Sequence, residues 1–148
     1  MGMQTTRIDN RIGVRASSEQ IWDVIADLEN WHLWNPYENS LQGTLGFGAP
    51  LSFTESYPGQ NERTVQASVG EWEPCGQLIW FENRGFLFRS TRFFEIEPLE
   101  SNACILTNGI IFSGLRGEMF HDKHRSKIRP AIQTINEQLK ALVESRVG

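Results

Sequence analysis

The chain has 148 residues, of which 39% are hydrophobic and 11% aromatic, including nine Phe and five Trp. This length and composition are typical of one folded domain, so we expect residues 1–148 to form a single domain around one hydrophobic core. The formal net charge is −4, and the basic residues are scattered apart from the run "HDKHRSKIR" at 121–129. These properties argue against a disordered chain and against a nucleic-acid-binding surface.

The two cysteines, Cys75 and Cys104, lack CxxC spacing, so we expect both to be free thiols. No apolar run reaches the length of a membrane span or of a signal-peptide core. We therefore expect a cytoplasmic protein without stable membrane association. We also expect a monomer or a homodimer. The start "MGMQTT" formally fits the myristoylation pattern at Gly2 and Thr6, but it lacks a second membrane signal, and a frayed end is the simpler interpretation.

The first two predicted elements are a strand and a capped helix. "RIDNRIGV" at 7–14 alternates polar and apolar residues with the period of a half-buried strand. In "ASSEQIWDVIADL", Ser17 and Gln20 have the spacing of a capping box, and Ala16 can pack against Ile21 as a hydrophobic staple. The apolar residues at helical spacing are Ile21, Val24, Ile25 and Leu28.

A second, short helix, "WHLW", is predicted after Asn30, which can end the first helix. Pro36 terminates the short helix, because the residue before a proline is displaced from helical geometry. The two helices form a helix-turn-helix corner that carries Trp31 and Trp34. His32 is expected to point outward from this corner, and no metal-ligand spacing accompanies it.

From Tyr37 to Gly114 the sequence predicts one curved antiparallel sheet. Turn-forming segments such as "GTLGFGAP", "PGQN" and "PLESN" recur at intervals of about ten residues, as between successive antiparallel strands. The candidate strands are 37–44, 50–57, 62–73, 77–84, 86–97 and 102–113. Together with the strand at 7–14, they give a sheet of about seven strands.

A long terminal helix is predicted over 115–146. Its apolar residues repeat at alternating spacings of four and three: Ile128, Ile132, Ile135, Leu139 and Leu142. Pro130 lies inside this pattern, lacks a backbone donor and clashes one turn back. We therefore expect either a kink near 128–130 or a helix boundary there.

Four segments resemble the START-like or SRPBCC superfamily, particularly its polyketide cyclase/dehydrase-like bacterial members: "VRASSEQIWDVIADLENWHLWNPY", "GEWEPCGQLIWF", "FFEIEPLESNACI" and "FSG" before the last helix. The resemblance covers nearly the whole chain. It implies an α+β helix-grip fold, in which the curved sheet wraps the C-terminal helix and leaves a deep apolar cavity between them. Known members include lipid and sterol carriers, hormone receptors, aromatase/cyclases and a chaperone activator, so the fold alone does not define a function.

In such a fold the helical corner closes one end of the grip. The resemblance therefore implies that Trp31 and Trp34 supply large rigid surfaces that close the cavity, while Pro36 directs the chain into the sheet. Stacking of these rings on a ligand is the alternative.

Strand alternation indicates which polar side chains face the cavity. Glu55 shares a strand face with Leu51, Phe53 and Tyr57; Arg92 shares one with Phe86, Phe88, Ser90, Phe94 and Ile96. Because the apolar residues should face inward, both charges follow them, and a buried charge is costly unless it is paired. We expect Glu55 and Arg92 to meet each other or a charged group of a ligand.

As catalytic candidates, Arg92 would orient a carboxylate or phenolate of a ligand, and Glu55, with its pKa shifted by burial, would accept or donate a proton. The alternatives are an internal salt bridge, or a bulge that turns one of the two residues to solvent. The further ligand-binding candidates are Trp34, Phe53, Tyr57, Trp80, Phe88, Ser90, Asn108, Phe112, Met119 and Phe120.

No metal or other cofactor is expected. His121 and His124 lie three residues apart on one predicted helix, but no third ligand is assured. The sequence also lacks GxSxG, HExxH and P-loop motifs.

The leading hypothesis is an intracellular binding protein for a small hydrophobic ligand (aromatic, polyketide-like or lipid), held in a cavity between the sheet and the terminal helix. The second is a cyclase, dehydratase or aromatase that uses Glu55 and Arg92 in the same cavity. The third is a protein-interaction module, which would have a collapsed cavity and an exposed apolar patch.

Overall fold

The structure, a computed structural model, describes residues 5–147; Gly2, and with it the myristoylation pattern, lies outside this range. The elements in chain order are β1 (Thr5–Val14), α1 (Ser18–Ala26), a 3₁₀ helix (Leu28–Leu33), β2 (Glu38–Gly43), β3 (Pro50–Glu55), β4 (Arg63–Glu73), β5 (Gln77–Gly85), β6 (Phe88–Glu100), β7 (Ala103–Ser113) and α2 (Leu115–Val147). Of the helices in this range, none combines the length and apolar character needed to cross a membrane.

The strands form one antiparallel sheet in the order β1-β7-β6-β5-β4-β3-β2. Only the pairing of β1 with β7 joins strands that are distant in sequence, and it brings the first strand beside the last. The helix α2 packs across the inner face of this sheet through a buried seam: Ile128, Ile132, Ile135, Leu139 and Val143. The predicted α+β helix-grip fold with seven strands is confirmed.

The corner after β1 is built from local signals in the sequence. The capping box is confirmed, because Ser17 Oγ accepts the backbone N–H of Gln20 at 3.2 Å and Gln20 Oε1 accepts that of Ser17 at 2.9 Å. The short second helix is a 3₁₀ helix that begins at Leu28, three residues earlier than predicted, and it is interrupted at Asn30 by a non-helical φ of −112°.

The start of β6 differs from the prediction. The strand begins at Phe88 because Gly85 (φ 125°) and Leu87 (φ 56°) form a tight connection from β5 in the left-handed region. Phe86 therefore lies in the turn and is 79% exposed, so its predicted inward orientation is wrong.

At Pro130 the helix α2 continues without interruption to Val147. The predicted helix boundary is therefore wrong, while a kink there stays a prediction. The helix tolerates the proline because its packed apolar seam lies on both sides of that position.

Gly109 on β7 is required by close packing. A Cβ at this position would lie 2.7 Å from the backbone oxygen of Ile8 and 2.5 Å from the ring of Phe93. We expect Gly109→Ala to lower the free energy of unfolding by about 1–3 kcal/mol, because the neighbouring backbone must shift. Gly13→Ala on the paired strand is the control, since a Cβ there meets nothing within 4 Å. Urea denaturation of both variants should separate them, and equal stabilities would contradict this account.

Candidate ligand-binding site

The helical corner inserts two indole rings into the core. Trp31 donates from Nε1 to the backbone oxygen of Ile25 at 2.8 Å, and its ring centroid lies 4.8 Å from that of Trp34 and 5.6 Å from that of Trp80. Trp31 and Trp34 are almost fully buried, whereas His32 is exposed. The two rings close this end of the grip by packing against the sheet.

Arg92 projects inward from β6 and is 3% exposed. Its Nη2 donates to Glu38 Oε1 at 2.8 Å, and its Nε donates to Glu38 Oε2 at 3.0 Å. Its Nη1 donates to Asn108 Oδ1 and, at 2.9 Å, to the backbone oxygen of Gly109. Burial lowers the pKa of Arg92, but the Glu38 carboxylate more than compensates, so the pKa lies above the ordinary arginine value. All three guanidinium nitrogens are engaged by the protein.

Two asparagines hold this ion pair in place. Asn35, which follows the 3₁₀ helix, accepts the backbone N–H of Glu38 on Oδ1 at 2.9 Å and donates from Nδ2 to its carboxylate at 3.2 Å. Asn108 on β7 accepts from Arg92 and donates to the backbone oxygen of Ile132 on α2 at 3.3 Å. The ion pair is thereby connected to the corner, the sheet and the long helix.

A second charged cluster surrounds Arg63 on β4. Its Nε donates to Glu55 Oε2 at 2.7 Å, and its Nη1 donates to Glu82 Oε2 at 2.7 Å. Burial raises the pKa of Glu55; Arg63 opposes this rise without cancelling it, and the Glu38 carboxylate adds to it. Glu55 is therefore a carboxyl group that holds its proton more tightly than an exposed glutamate does.

The expected contact between Glu55 and Arg92 is wrong. Both residues face inward as alternation predicted, but Glu55 binds Arg63 and Arg92 binds Glu38. They do border one hollow of about 10 Å³, whose other lining residues are Glu38, Phe53, Val65, Trp80, Glu82, Ser90 and Ile110. Such a volume holds one water molecule at most. Among residues 5–147, aromatic rings and paired charges occupy this part of the interior, so the predicted deep cavity is wrong at this place.

Wider spaces lie outside the grip, on the outer face of the sheet. Shallow grooves of about 520 and 550 Å³ run beside Phe81, one towards Leu87 and the other towards Phe47. The guanidinium of Arg89 covers Phe81 there, with its Cζ 4.3 Å from the ring centroid.

The mouth of the grip, as we define it, is formed by Arg84 at the end of β5, Phe88 at the start of β6 and Phe120 on α2. Arg84 Cζ lies 4.6 Å from the ring centroids of both Phe88 and Phe120, and the two rings are 5.2 Å apart. Phe112 lies 5.1 Å from Phe120 on the interior side, and His124 lies 4.3 Å from it along the helix. Arg84, Phe88, Phe120 and His124 are all partly exposed, so the mouth presents a cation and aromatic surface to solvent.

Arg84 differs from the two other inward arginines. Within residues 5–147 its guanidinium makes no hydrogen bond, and its one ion pair, from Nε to Glu82 Oε1, is 3.9 Å long. Burial and the neighbouring charge of Arg63 lower the pKa of Arg84. Sequence reasoning missed this residue, although the alternation of Leu78 and Trp80 on β5 continues to it.

The remaining candidates have varied surroundings. Tyr57 is buried; burial and the Glu38 carboxylate raise its pKa well above the ordinary value, and its hydroxyl has no hydrogen-bond partner in the described part of the chain. Met119 is 63% exposed and points away from the interior.

His121 contacts Asp122 at 3.0 Å between Nδ1 and Oδ1. Across residues 5–147, no group of three His, Cys, Asp or Glu side chains could hold a metal ion.

A seven-stranded antiparallel sheet that grips a long C-terminal helix, with a helical corner after its first strand, defines the START-like class. The chain belongs to one family of this class, described as polyketide cyclase/dehydrase and lipid transport, whose model matches residues 5–144. The comparison with curated proteins finds no match.

Several solved structures are similar in fold. Norcoclaurine synthase from Thalictrum flavum, in complex with a transition-state analogue, is 14% identical with a TM-score of 0.73, over 100% of this chain and 99% of that one. A START superfamily protein from Mycobacterium smegmatis is 20% identical with a TM-score of 0.72, over 97% and 99%. A hypothetical protein from Helicobacter pylori is 14% identical with a TM-score of 0.76, over 93% and 88%. At these identities the likeness shows the fold alone.

The Arg92 ion pair generates a stability prediction. Arg92→Met should lower the free energy of unfolding by about 3–5 kcal/mol, because Glu38 is left buried without its partner. Arg11→Met is the control: its ion pair with Glu97, 3.6 Å long, is exposed, and its loss should cost less than about 1 kcal/mol. Adding Glu38→Leu to Arg92→Met should restore part of the loss. Urea denaturation measures all three, and equal effects of the two arginine variants would refute the assignment.

The raised pKa of Glu55 generates a pH prediction. The folded protein binds a proton at this carboxyl more tightly than the unfolded chain, whose glutamates titrate near the ordinary 4.5. The contribution of Glu55 to the free energy of unfolding should therefore fall as the pH rises from about 4.5 through the folded pKa, then level off. The difference in stability between the wild type and Glu55→Gln, followed by urea denaturation from pH 4 to pH 8, checks this. A difference independent of pH would exclude a raised pKa.

Proposed function

We propose that the protein binds a small planar aromatic molecule with an anionic group, a carboxylate or phenolate, at the mouth of the grip. The observation that carries this proposal is the guanidinium of Arg84, which lies over two aromatic rings and makes no hydrogen bond in the described part of the chain. A guanidinium in this state can form two parallel hydrogen bonds to a carboxylate.

The choice of Arg84 over Arg92 rests on their hydrogen bonds. Arg92 was the sequence-based candidate for orienting the ligand, but its donors are taken by Glu38, Asn108 and a backbone oxygen. A ligand that used Arg92 would have to break this buried network. Arg84 needs only to turn from its long contact with Glu82, which costs little because that contact is 3.9 Å.

The body of the ligand would be held by apolar contact. Phe88 and Phe120 are partly exposed at the mouth, and Phe112 supports them from the interior. Offset or edge-to-face packing of a ligand ring on these side chains is worth about 0.5–1.5 kcal/mol beyond the burial of area, itself about 25 cal/mol per Å². Affinity would thus come from the rings, and orientation from the cation.

The comparisons support an aromatic ligand without identifying it. The family description includes polyketide cyclases and lipid transport proteins, which act on small, largely apolar molecules. Norcoclaurine synthase from Thalictrum flavum, similar in fold, has an X-ray structure in complex with dopamine and hydroxybenzaldehyde. Both compounds are small and aromatic, and each carries a phenol group.

The two alternative functions have less support. A cyclase that used Glu55 and Arg92 would need both groups free to reach one ligand atom, whereas Arg92 is engaged by the protein and the hollow that they share is about 10 Å³. An interaction module fits the filled interior and the exposed apolar side chains near the start of α2. It gives no role, however, to the guanidinium of Arg84, which makes no hydrogen bond in the described part of the chain.

The proposal predicts a charge-dependent affinity that Arg84 controls. We expect 2-naphthoate and anthraquinone-2-carboxylate to raise the melting temperature and to bind in calorimetry, and the corresponding neutral amides to bind more weakly. Arg84→Met should weaken binding of the carboxylates about tenfold, through loss of a charge-assisted hydrogen bond, and should leave the amides nearly unchanged.

Arg89→Met is the matched control, because Arg89 also covers an aromatic ring but lies on the outer face of the sheet. It should leave both affinities unchanged. The proposal fails if no planar aromatic acid raises the melting temperature. It fails equally if Arg84→Met and Arg89→Met have the same effect.

A further inference from the structure

Four large apolar side chains are exposed together at one end of the molecule. Phe86 (79% exposed) and Leu87 (46%) lie in the β5–β6 turn, while Leu115 (58%) and Met119 (63%) lie on the first turns of α2. We call this set the apolar end. Single exposed apolar residues are ordinary, but four on two adjoining segments form a patch of the kind that marks an interaction site.

The two segments are held together by the backbone. The oxygen of Leu87 accepts the N–H of Arg116 at 3.0 Å and that of Gly117 at 3.3 Å. A Cβ on Gly114 would lie 2.2 Å from the same oxygen, so the turn and the helix start are in direct contact. Leu87 keeps a φ of 56° in this contact, a strained value for a leucine, which indicates that the surroundings fix the turn. The apolar end is therefore a firm projection and not a loose loop.

Positive charge surrounds the apolar end. Residues 85–89 and 115–129 contain six of the fourteen Lys and Arg of the chain but only two of its eighteen Asp and Glu, although the chain as a whole has a net charge of −4. The six basic residues are all exposed: Arg89, Arg116, Lys123, Arg125, Lys127 and Arg129. On α2 the residues Leu115, Met119 and Lys123 are four apart, so apolar and basic groups follow one another along one helical stripe.

We propose that the apolar end and its basic surroundings dock reversibly on the surface of an anionic phospholipid bilayer. Projecting apolar side chains enter the boundary between head groups and acyl chains, and nearby Lys and Arg bind anionic head groups. The charge complementarity favours this partner over an uncharged surface. A nucleic acid would use the cations but would leave the leucines and the methionine in water.

Docking of the apolar end would also determine where the mouth of the grip lies. Phe88 directly follows Leu87, and Phe120 directly follows Met119, so the mouth adjoins the apolar end. A docked protein would have its mouth at the bilayer surface, where apolar molecules dissolve. The inference concerns a different surface from the proposed ligand site and does not depend on it.

Co-sedimentation of the full chain with vesicles tests the proposal. We expect binding to vesicles of phosphatidylcholine with 30% phosphatidylserine, at least tenfold weaker binding to pure phosphatidylcholine, and loss of binding when NaCl is raised from 0.1 to 0.5 M. The double variant Phe86→Ser/Leu115→Ser should weaken binding at least tenfold, and Lys123→Glu should weaken it about tenfold or more, because two charge units change near the surface.

Two controls match these variants. Leu99→Ser removes a side chain that is 59% exposed at the opposite end of β6, and Arg146→Glu reverses a charge at the far end of α2. Both should bind vesicles as the wild type does. Binding of 2-naphthoate should survive Phe86→Ser/Leu115→Ser, and vesicle binding should survive Arg84→Met, so the two proposals fail separately.

Three outcomes would overturn the docking surface. The first is no binding to phosphatidylserine vesicles at 0.1 M NaCl. The second is equal weakening by the test and control variants. The third is that the variant Phe86→Ser/Leu115→Ser binds RNA or heparin, and also vesicles, as the wild type does. That result would indicate a general polyanion-binding surface without apolar insertion.

Discussion

The ion pair between Arg92 and Glu38 joins two strands that are not neighbours in the sheet. It links β6 to the start of β2, and Asn108 extends it to β7 and α2. A buried charge pair contributes little net stability compared with apolar packing, but it is costly to break once it is in place. We infer that the arrangement restricts the ways in which sheet and helix can fit together more than it strengthens the fold.

This constraint also separates the arginines by role. The inner face of the sheet carries three arginines and three glutamates, so basic and acidic side chains are equal in number there. Arg92 and Arg63 satisfy their nitrogens within the protein, and only Arg84 stays without a hydrogen bond among the described residues. Under the proposed function, Arg84 is the charge that is available to a ligand, so ligand recognition is proposed at the mouth and not in the filled interior.

Periodicity predicted the order of the strands and helices, whereas the helix-grip arrangement was implied by the family resemblance. The alternation on β3 and β6 correctly placed Glu55 and Arg92 inward, and the same rule applied to Val65 or Trp80 would have added Arg63, Glu82 and Arg84. The partner of Arg92 could not be read in this way. Glu38 reaches it because Asn35 turns the chain and because β2 has a bulge at Ser40, whose φ is 60°, and neither feature follows from a period of two. The sequence also did not indicate that side chains fill the cavity, because this depends on how far long charged side chains extend into it.

The attachment of α2 is uneven along its length. It is fastened near its start by the backbone oxygen of Leu87, and beyond its midpoint by bonds from Asn108 to Ile132 and from Asn136 to the backbone oxygen of Asn10 at 2.9 Å. Between these points, among the described residues, no side-chain hydrogen bond ties positions 118–131 to the sheet. In this span packing takes the place of hydrogen bonds: Ile128 and Ala131 are buried, and the ring of Phe120 contacts those of Phe88 and Phe112. Pro130 lies in the same span and leaves the helix one internal bond short, so the attachment of this part of α2 depends on its apolar contacts.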